Sequence, residues 1–297
     1  MRIRDINARY LRPLLPERRS ASHKGDHGKV LMVSGSRGMS GAAVLAGRAV
    51  LRSGAGLLTI ACPDAERRSV ICALPEAMTL PLPSRGGAAA LKAADTVLAF
   101  QKERRYDVCL IGPGLSLSGE APEFVLSLLK RLDMPAVVDA DALNALSRSG
   151  ARAGMKAGPA RIFTPHEGEA GRFFRVRPRG RSALALSLRR LLGGVCVLKG
   201  PGTLVTDGAA MLRNTSGGPA LAKGGTGDVL AGLIAGLWAQ TGVRSGFTIS
   251  SALSSAALGV HLHGLCGDLA AGRLTPRCVL AGELPDFLPE AFRELEG

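Results

Sequence analysis

The sequence predicts an α/β fold with a mostly parallel central sheet and helices on both faces. Short apolar runs alternate with longer segments rich in alanine and leucine, which is the pattern of successive β-α-β units. Most of these apolar runs end directly in Gly, Asp, Pro or His, and ligands of open parallel sheets bind beyond the carboxyl ends of the strands. The 297 residues suffice for a large core. The same edge of the sheet is therefore the expected place for a functional site.

The individual elements follow from hydrophobic periodicity. Seven short apolar runs are predicted as strands: Val30–Ser34, Gly56–Ala61, Val108–Ile111, Ala136–Val138, Arg161–Thr164, Val195–Leu198 and Thr203–Thr206. Six segments carry apolar residues at three- and four-residue spacing and are predicted as helices: Gly41–Ser53, Pro122–Leu132, Ser182–Leu192, Asp228–Ala239, Thr248–Leu262 and Glu283–Glu296.

The domain organisation is predicted to be simple. No internal repeat, low-complexity tract or interdomain linker is visible in the sequence. We interpret residues 1–22 as a peripheral lead-in and residues 23–297 as one domain. Two segments, Ser84–Gly87 and Ala151–Ala160, are predicted as surface loops.

The charge balance favours an anionic partner. The chain has 38 basic and 24 acidic residues, which gives a formal net charge of +14. A nucleotide substrate would use this charge as well as a nucleic acid would. Aromatic residues, which stack on single-stranded bases, make up only 4% of the chain, and no zinc-finger or basic-zipper spacing is present. The arginine-rich run between Arg172 and Arg190 is therefore interpreted as a solvated face.

The cysteines and the chain start predict a cytoplasmic protein. None of the six cysteines forms a CxxC pair, and several lie inside apolar runs, so we expect buried, reduced thiols. The first residues lack the apolar region of a signal peptide, and no apolar run is long enough to span a membrane.

The strongest local signal is the glycine-rich segment Lys223–Asp228, which runs directly into an apolar helix. Glycines at 224, 225 and 227 let successive amides turn toward one point, and the unpaired N–H groups of a helix start add positive potential there. Asp228 in the first turn could then accept a proton from a reacting hydroxyl. A capping role for Asp228 is the alternative, because Asp is favoured at helix starts.

Other strand ends supply further candidates. Lys199–Thr203 follows a predicted strand, where nucleotide phosphates commonly bind, although an ordinary β-turn would have a similar sequence. Asp139, Asp141 and Asn144 follow another strand and suit magnesium through water or a ribose hydroxyl. The two aspartates could instead only cap the next helix.

Two further segments have weaker signals. His166 lies between Pro165 and Gly168 in a strand-end loop, where its ring could donate to an amide or a phosphate, although a lone histidine is more often a passive surface group. Gly35–Ala43 is glycine-rich and precedes a helix, but it lacks the G-x-G-x-x-G spacing of a dinucleotide fingerprint.

Taken together, these segments resemble the ADP/ATP-dependent NAD(P)H-hydrate dehydratase family of the ribokinase-like superfamily. The similarity extends through nearly the whole chain and keeps the order of the segments. The segments that carry it are 23–30, 35–39, 51–57, 111–115, 138–144, 164–169, 197–200, 223–228 and 263–268. Several motifs in the right order are far more specific than any one of them.

The resemblance implies a ribokinase-like fold and a set of roles for individual residues. Nucleotide binding is implied for Lys199, Gly200, Pro201, Gly202, Thr203 and Gly227. Binding of the hydrated cofactor is implied for Ala43, Gly114, His166 and Asp228. An anion hole is implied for Gly224, Gly225, Thr226 and Gly227.

The implied reaction is repair of hydrated NADH and NADPH, with ADP or ATP as cosubstrate and Mg²⁺ as cofactor. Phosphate would be transferred to the ring hydroxyl of the S-epimer, with Asp228 as the base, and elimination of phosphate would restore the double bond. No residue is assigned as a metal ligand. The resemblance also implies a homotetramer and a separate NAD(P)H-hydrate epimerase as functional partner, because many relatives carry an epimerase domain that is not seen in this sequence.

Three positions depart from the family pattern. Glu167 replaces a common proline, Ser116 replaces a frequent glycine, and Leu221 stands where methionine is frequent. Glu167 puts a negative charge beside His166, which could weaken binding of an anionic substrate or raise the pKa of the histidine.

Two alternative functions stay open at this point. A small-molecule kinase of the same superfamily would share the anion hole and the base, although the order of the segments argues against it. A basic nucleic-acid-binding protein would instead use the arginine-rich run, and its binding would weaken steeply with salt.

Overall fold

A computed structural model describes residues 1–150 and 158–297. The strands are β1 (Ile3–Asp5), β2 (Lys29–Val33), β3 (Leu57–Pro63), β4 (Met78–Leu82), β5 (Ser84–Arg85), β6 (Ala88–Ala89), β7 (Val108–Ile111), β8 (Ala136–Val138), β9 (Arg161–Phe163), β10 (Val195–Leu198), β11 (Leu204–Thr206) and β12 (Met211–Arg213). The helices are α1 (Ala8–Leu11), α2 (Ser40–Arg52), α3 (Arg67–Ala73), α4 (Ala93–Arg104), α5 (Ala121–Arg131), α6 (Ala140–Ser149), α7 (Glu167–Gly171), α8 (Arg181–Leu192), α9 (Thr226–Ser245), α10 (Ile249–Leu274) and α11 (Leu288–Glu296).

Ten strands form one sheet in the order β1-β12-β11-β10-β9-β8-β7-β2-β3-β4. Neighbouring strands are parallel except around β11, which pairs antiparallel with both β10 and β12. β5 and β6 form a separate two-stranded hairpin. The mostly parallel sheet predicted from the sequence is therefore confirmed.

Each face of the sheet is covered by its own hydrophobic core. Alternate residues of β2 show the division, since Val30 and Met32 belong to one core and Leu31 and Val33 to the other. The first core contains buried residues of α2, α9 and α10, and the second contains those of α4, α5, α6 and α8. Burial on both faces explains why the central strands have continuous apolar sequences.

All seven predicted strands are confirmed, with bounds that shift by at most two residues. Helices α9 and α10 extend well beyond the predicted ends at Ala239 and Leu262. Both extensions contain glycines at close contacts: a Cβ at Gly242 would lie 1.9 Å from the Phe247 ring, and one at Gly264 would lie 2.1 Å from Ser216 Oγ. The predicted helix Glu283–Glu296 is helical as α11 only from Leu288, after a 3-10 turn over Ala281–Phe287.

Several elements were not predicted, among them α3, α4, α6, the two edge strands β1 and β4, and the strand β12 next to β1. The predicted loop Ser84–Gly87 includes β5 and the turn of the hairpin. Most of the predicted loop Ala151–Ala160 lies outside the described residues. Within the predicted lead-in, β1 pairs with β12, and Ile6 and Leu11 are buried in the first core. The division into a lead-in and one domain stays a prediction.

The cysteines are free thiols, of which Cys62, Cys109, Cys196 and Cys266 are buried, while Cys72 and Cys278 are exposed. The expectation of buried thiols therefore holds for four of the six. In the described ranges 1–150 and 158–297, every helix is too short or too polar to cross a membrane.

The packing of α2 against α9 fixes where α9 begins. A Cβ at Gly232 would lie 2.1 Å from the carbonyl oxygen of Ala46, so the two helices approach at backbone distance only because residue 232 is glycine. Seven residues before Gly232, a Cβ at Gly225 would lie 2.6 Å from Leu45 Cδ1. This crossing holds the amino end of α9 against α2.

We expect Gly232→Ala to lower the free energy of unfolding by about 2 kcal/mol, because overpacking at a backbone contact exceeds the gain in helix propensity. Gly272→Ala is the matched control, since a Cβ there meets nothing within 4 Å. The control should be neutral or stabilising by up to ~1 kcal/mol in urea unfolding. Equal stability of the two variants would contradict the close crossing.

Candidate active site

The candidate site lies where β8, β9 and β10 end and α9 begins. Asp139 directly follows β8, His166 follows β9, and Lys199 follows β10. The backbones of His166 and Lys199 form a parallel bridge, and the amide of Lys199 donates to the carbonyl of Pro165 at 2.8 Å. A Cβ at Gly227 would lie 3.3 Å from Lys199 Nζ, which places the ammonium group at the amino end of α9. The predicted edge of the sheet thus gathers residues from four segments.

The start of α9 is open to an anion. Gly225 precedes the helix in the left-handed region (φ +89°), and no side chain caps the helix through a hydrogen bond. The amides of Gly227 and Asp228 lie in the first turn, where a helix provides no acceptor for them. Thr226 Oγ donates instead to the carbonyl oxygens of Leu221 (2.8 Å) and Lys223 (3.0 Å), which ties the glycine-rich segment to the helix. In the segment predicted as an anion hole, the amide of Thr226 donates to the carbonyl of Lys223 at 3.5 Å, whereas those of Gly224 and Gly225 have no backbone acceptor within the described residues. Its role as an anion hole stays a prediction.

A buried ammonium joins the strand ends. Lys199 Nζ donates to Asp139 Oδ1 at 2.8 Å and lies 3.9 Å from Glu169 Oε2. The Asp139 side chain is only 1% exposed and that of Glu169 is 7% exposed. Burial by itself would lower the pKa of Lys199, but the two carboxylates outweigh burial and the pKa is raised. Lys199 is therefore a permanent cation at this site.

Asp228 has an unusual ionisation because of the same cluster. Burial raises the pKa of Asp228 to about 7 from an ordinary value of 3.8. The negative charges of Asp139, Asp141 and Glu169 act in the same direction, and Lys199 only partly opposes them. A carboxyl group that titrates near neutral pH is suited to accept a proton during catalysis. The capping residue of α9 is Gly225, and no side-chain hydrogen bond of Asp228 to the start of the helix is present among the described residues, which disfavours the capping alternative.

His166 is both a helix cap and an available donor. Its Nδ1 accepts from the amides of Gly168 (3.0 Å) and Glu169 (3.2 Å), and the carboxylate of Glu169 accepts from the amide of His166 at 2.8 Å. Because Nδ1 accepts hydrogen bonds, the ring proton is on Nε2. The side chain is 54% exposed, and Nε2 lies 3.6 Å from Glu169 Oε1, so its N–H group borders both this carboxylate and the solvent.

Two of the predicted substrate-binding residues are less accessible. Ala43 is completely buried on α2, and Gly114 is buried in the loop after β7. A Cβ at Gly114 would lie 2.6 Å from the carbonyl oxygen of Met39, so this loop packs closely on the start of α2. Substrate contacts at Ala43 and Gly114 stay a prediction.

The aspartates after β8 do not share one role. Asp139 occupies the capping position of α6 but forms no side-chain capping bond, because its carboxylate is engaged by Lys199. Asp141 Oδ2 accepts from the amide of Ser116 at 2.8 Å, which ties α6 to the loop after β7. The capping alternative is thus disfavoured for Asp139. Among residues 1–150 and 158–297, no cluster of three metal-binding side chains is present.

Glu169 is the site residue that the sequence analysis did not assign. It is buried beside Lys199, and burial raises its pKa. Its position was visible as the last residue of the Thr164–Glu169 segment, three residues after His166, which is the spacing of a capping box. Nothing in the sequence showed that the same carboxylate also faces Lys199.

Comparison with known proteins identifies the family. A family model described as NAD(P)H-hydrate dehydratase matches residues 30–290. The chain is 36% identical to the ADP-dependent (S)-NAD(P)H-hydrate dehydratase of Bacillus subtilis, over 97% of both chains. The chain belongs to the NAD(P)H-hydrate dehydratase family.

Longer relatives and solved structures agree with this assignment. The bifunctional NAD(P)H-hydrate repair enzyme Nnr of Moorella thermoacetica is 40% identical over 98% of this chain, which spans only about half (54%) of that relative. A crystal structure of the B. subtilis ADP/ATP-dependent NAD(P)H-hydrate dehydratase, co-crystallised with ATP/Mg²⁺, has a TM-score of 0.82 and 33% identity over 100% of both chains. The fold of this dehydratase family member is ribokinase-like.

We expect Lys199→Met to lower the free energy of unfolding by about 3–5 kcal/mol at pH 7, because it leaves the buried Asp139 carboxylate without a partner. Urea unfolding measures this loss, and adding Asp139→Asn should restore part of it. Arg131→Met is the control, since its ion pair with Asp95 is exposed and should contribute only ~0–1 kcal/mol. A Lys199→Met variant as stable as this control would show that the buried pair does not hold the site together.

Proposed function

We propose that this protein dehydrates the S form of hydrated NADH and NADPH, with ADP or ATP as the phosphoryl donor. The observation that carries the proposal is Asp228, a carboxyl group titrating near pH 7 beside the unpaired amides at the start of α9. Family membership supports hydrated NADH and NADPH as the substrates, and so does the name of the B. subtilis relative, an ADP-dependent (S)-NAD(P)H-hydrate dehydratase.

In the proposed reaction Asp228 acts as the general base. The hydroxyl group of the hydrated ring loses its proton to the Asp228 carboxylate and attacks the terminal phosphorus of the nucleotide. The bond between that phosphorus and the bridging oxygen breaks, and the shortened nucleotide leaves. The amides of Gly224, Gly225, Thr226 and Gly227 face the charge on the transferred phosphoryl group.

Elimination completes the proposed repair. The carbon–oxygen bond of the phosphate ester breaks, phosphate leaves with the bonding pair, and loss of a proton from the neighbouring ring carbon restores the double bond. Phosphorylation matters because hydroxide is a poor leaving group. His166 and the buried positions Ala43 and Gly114 are proposed to hold the hydrated ring and its nucleotide portion.

Nucleotide binding is proposed for Lys199–Thr203 and Gly227. Mg²⁺ is proposed to arrive with the nucleotide, as the ATP/Mg²⁺ complex of the B. subtilis protein suggests. Mg²⁺ bound mainly by phosphates needs only one or two carboxylates, and Asp141 has one carboxylate oxygen without a hydrogen-bond partner in the described part of the chain. The ion would offset phosphate charge there.

The remaining expectations are proposals of the same kind. A homotetramer, a cytoplasmic location and an NAD(P)H-hydrate epimerase as functional partner rest on the family resemblance. A small-molecule kinase would use the same base, but the similar proteins of Listeria monocytogenes and B. subtilis are named as dehydratases. Nucleic-acid binding is disfavoured because several arginines of the run between Arg172 and Arg190 contact side chains of this protein. Arg172 donates to Asn144, and Arg177 and Arg181 pair with Glu167.

The proposed function is tested by mixing the protein with hydrated NADH and either ADP or ATP. Recovery of the absorbance of reduced nicotinamide, with release of one phosphate per turnover, would support dehydration. A stable phosphorylated product without recovery of the NADH absorbance would support the kinase alternative. Salt-sensitive nucleic-acid binding without turnover would support the nucleic-acid-binding alternative.

We expect Asp228→Asn to lower kcat at least about a hundredfold, because an amide cannot accept the proton, while ADP still binds. Asp133→Asn is the control, since Asp133 is exposed at the opposite end of β8. Calorimetry with ADP and the hydrated-NADH assay measure the two effects. Near-normal turnover of Asp228→Asn would remove this residue from the reaction.

A further inference from the structure

The arginine-rich run is not simply a solvated face. Arg181 begins α8, its side chain is 27% exposed, and its guanidinium group reaches across to the loop after β10. Nη1 donates to the carbonyl oxygens of Pro201 and of Gly202 (3.2 Å), and Nη2 donates to those of Leu198 (3.3 Å) and Lys199 (3.4 Å). One side chain therefore binds four carbonyl groups of a single turn.

These contacts determine where the amides of the turn point. In a trans peptide the C=O and N–H groups point in opposite directions, and the peptide bonds here are trans. The carbonyls of Lys199 and Pro201 face Arg181, so the N–H groups of Gly200 and Gly202 face away from it. Within the described residues, neither N–H group has an acceptor. Both glycines have positive φ (134° and 62°), so the turn depends on them.

The same arginine is joined to the segment that carries His166. Arg181 Nε lies 3.0 Å from Glu167 Oε1, and Arg177 pairs with the other oxygen of this carboxylate. Glu167 is the first residue of α7 and directly follows His166. Its negative charge, noted in the sequence as a departure from the family pattern, is therefore matched by two arginines. This pairing links the loops that follow β9 and β10.

We propose that Arg181 is a positioning residue for the nucleotide: by holding the carbonyls of the 199–202 turn, it keeps the Gly200 and Gly202 amides directed at the phosphates. Glu167 orients Arg181 and so connects the nucleotide loop to the segment bearing His166. The inference rests on the proposed function, because it assumes that this turn binds ADP or ATP. The two unpaired amides flank Pro201, which has no N–H group, and amides that point to one side of a turn can form an anion-binding concavity.

The test compares Arg181→Met and Arg181→Lys with Arg179→Met. Arg179 lies in the same run, is exposed and has no side-chain hydrogen bond or ion pair among the described residues, and its removal changes the net charge by the same amount. We expect the Kd and KM for ADP to rise about tenfold or more in both Arg181 variants, because lysine keeps the charge but cannot reach four carbonyls and Glu167 together. The Arg179 variant should stay close to wild type.

The positioning role and a purely structural role predict different patterns. If Arg181 positions the nucleotide turn, the KM for hydrated NADH and the kcat at saturating ADP should change little in the Arg181 variants. If Arg181 only stabilises the fold, its loss should alter the KM for ADP, the KM for hydrated NADH and kcat together. Glu167→Gln should weaken ADP binding by a smaller factor and add nothing in the Arg181→Met background. Because Glu167→Gln leaves Arg181 in place, this variant can test the positioning role even if the Arg181 variants do not fold.

The outcomes separate this inference from the proposed function. The positioning role would be overturned if Arg181→Met bound ADP as tightly as wild type, or if Arg181→Lys restored wild-type affinity in full. If the Arg181 variants do not fold, an unchanged ADP affinity of Glu167→Gln would overturn it. If the wild-type protein neither binds ADP nor restores NADH, the proposed function fails, and the role of Arg181 in nucleotide binding fails with it.

Discussion

The contact on which the site depends is the buried ion pair between Lys199 and Asp139. It joins the ends of β10 and β8, and Lys199 also faces Glu169 on α7, so one ammonium group holds three segments in register. One cation among several carboxylates cannot neutralise all of them. Burial, together with the excess negative charge of the neighbouring carboxylates, raises the pKa of Asp228 above its ordinary value. The reactivity proposed for Asp228 is thus a consequence of how the strand ends are held together.

The second requirement is that α9 begins at the right place. Its amino end meets the charged cluster because α2 and α9 pack at backbone distance through Gly232, and Leu45 fills the space beside Gly225. The first turn then points unpaired amides at the same region that Asp228 occupies. Two features therefore form the site: the packing of α9 on α2, and the charge pairing at the edge of the sheet. Both are needed to place a bound phosphoryl group beside the proposed base Asp228.

The sequence was sufficient for the central strands and for the glycine-rich start of a long helix, because these depend on local patterns. It was insufficient for features that depend on contacts between distant segments. The part of α10 beyond Leu262 was not predicted, and the approach of Ser216 to Gly264 in that part cannot be read from periodicity. Glu169 was overlooked for the same reason, and Arg181 was taken as solvated because the carbonyls it binds lie some twenty residues further along the chain. The edge strand β1 and its neighbour β12 have only three residues each, which is too short to give a clear alternating pattern.

The central claim is that Asp228 is a carboxyl group with a strongly raised pKa in the nucleotide-free protein. Carbon-13 NMR of protein labelled at the aspartate carboxyl carbon measures this directly, and the signal missing from Asp228→Asn identifies the residue. The account predicts a titration midpoint at about pH 7 for Asp228. A midpoint near the ordinary value of 3.8 would contradict it, because the carboxylate would then be an exposed, fully ionised group at the start of α9.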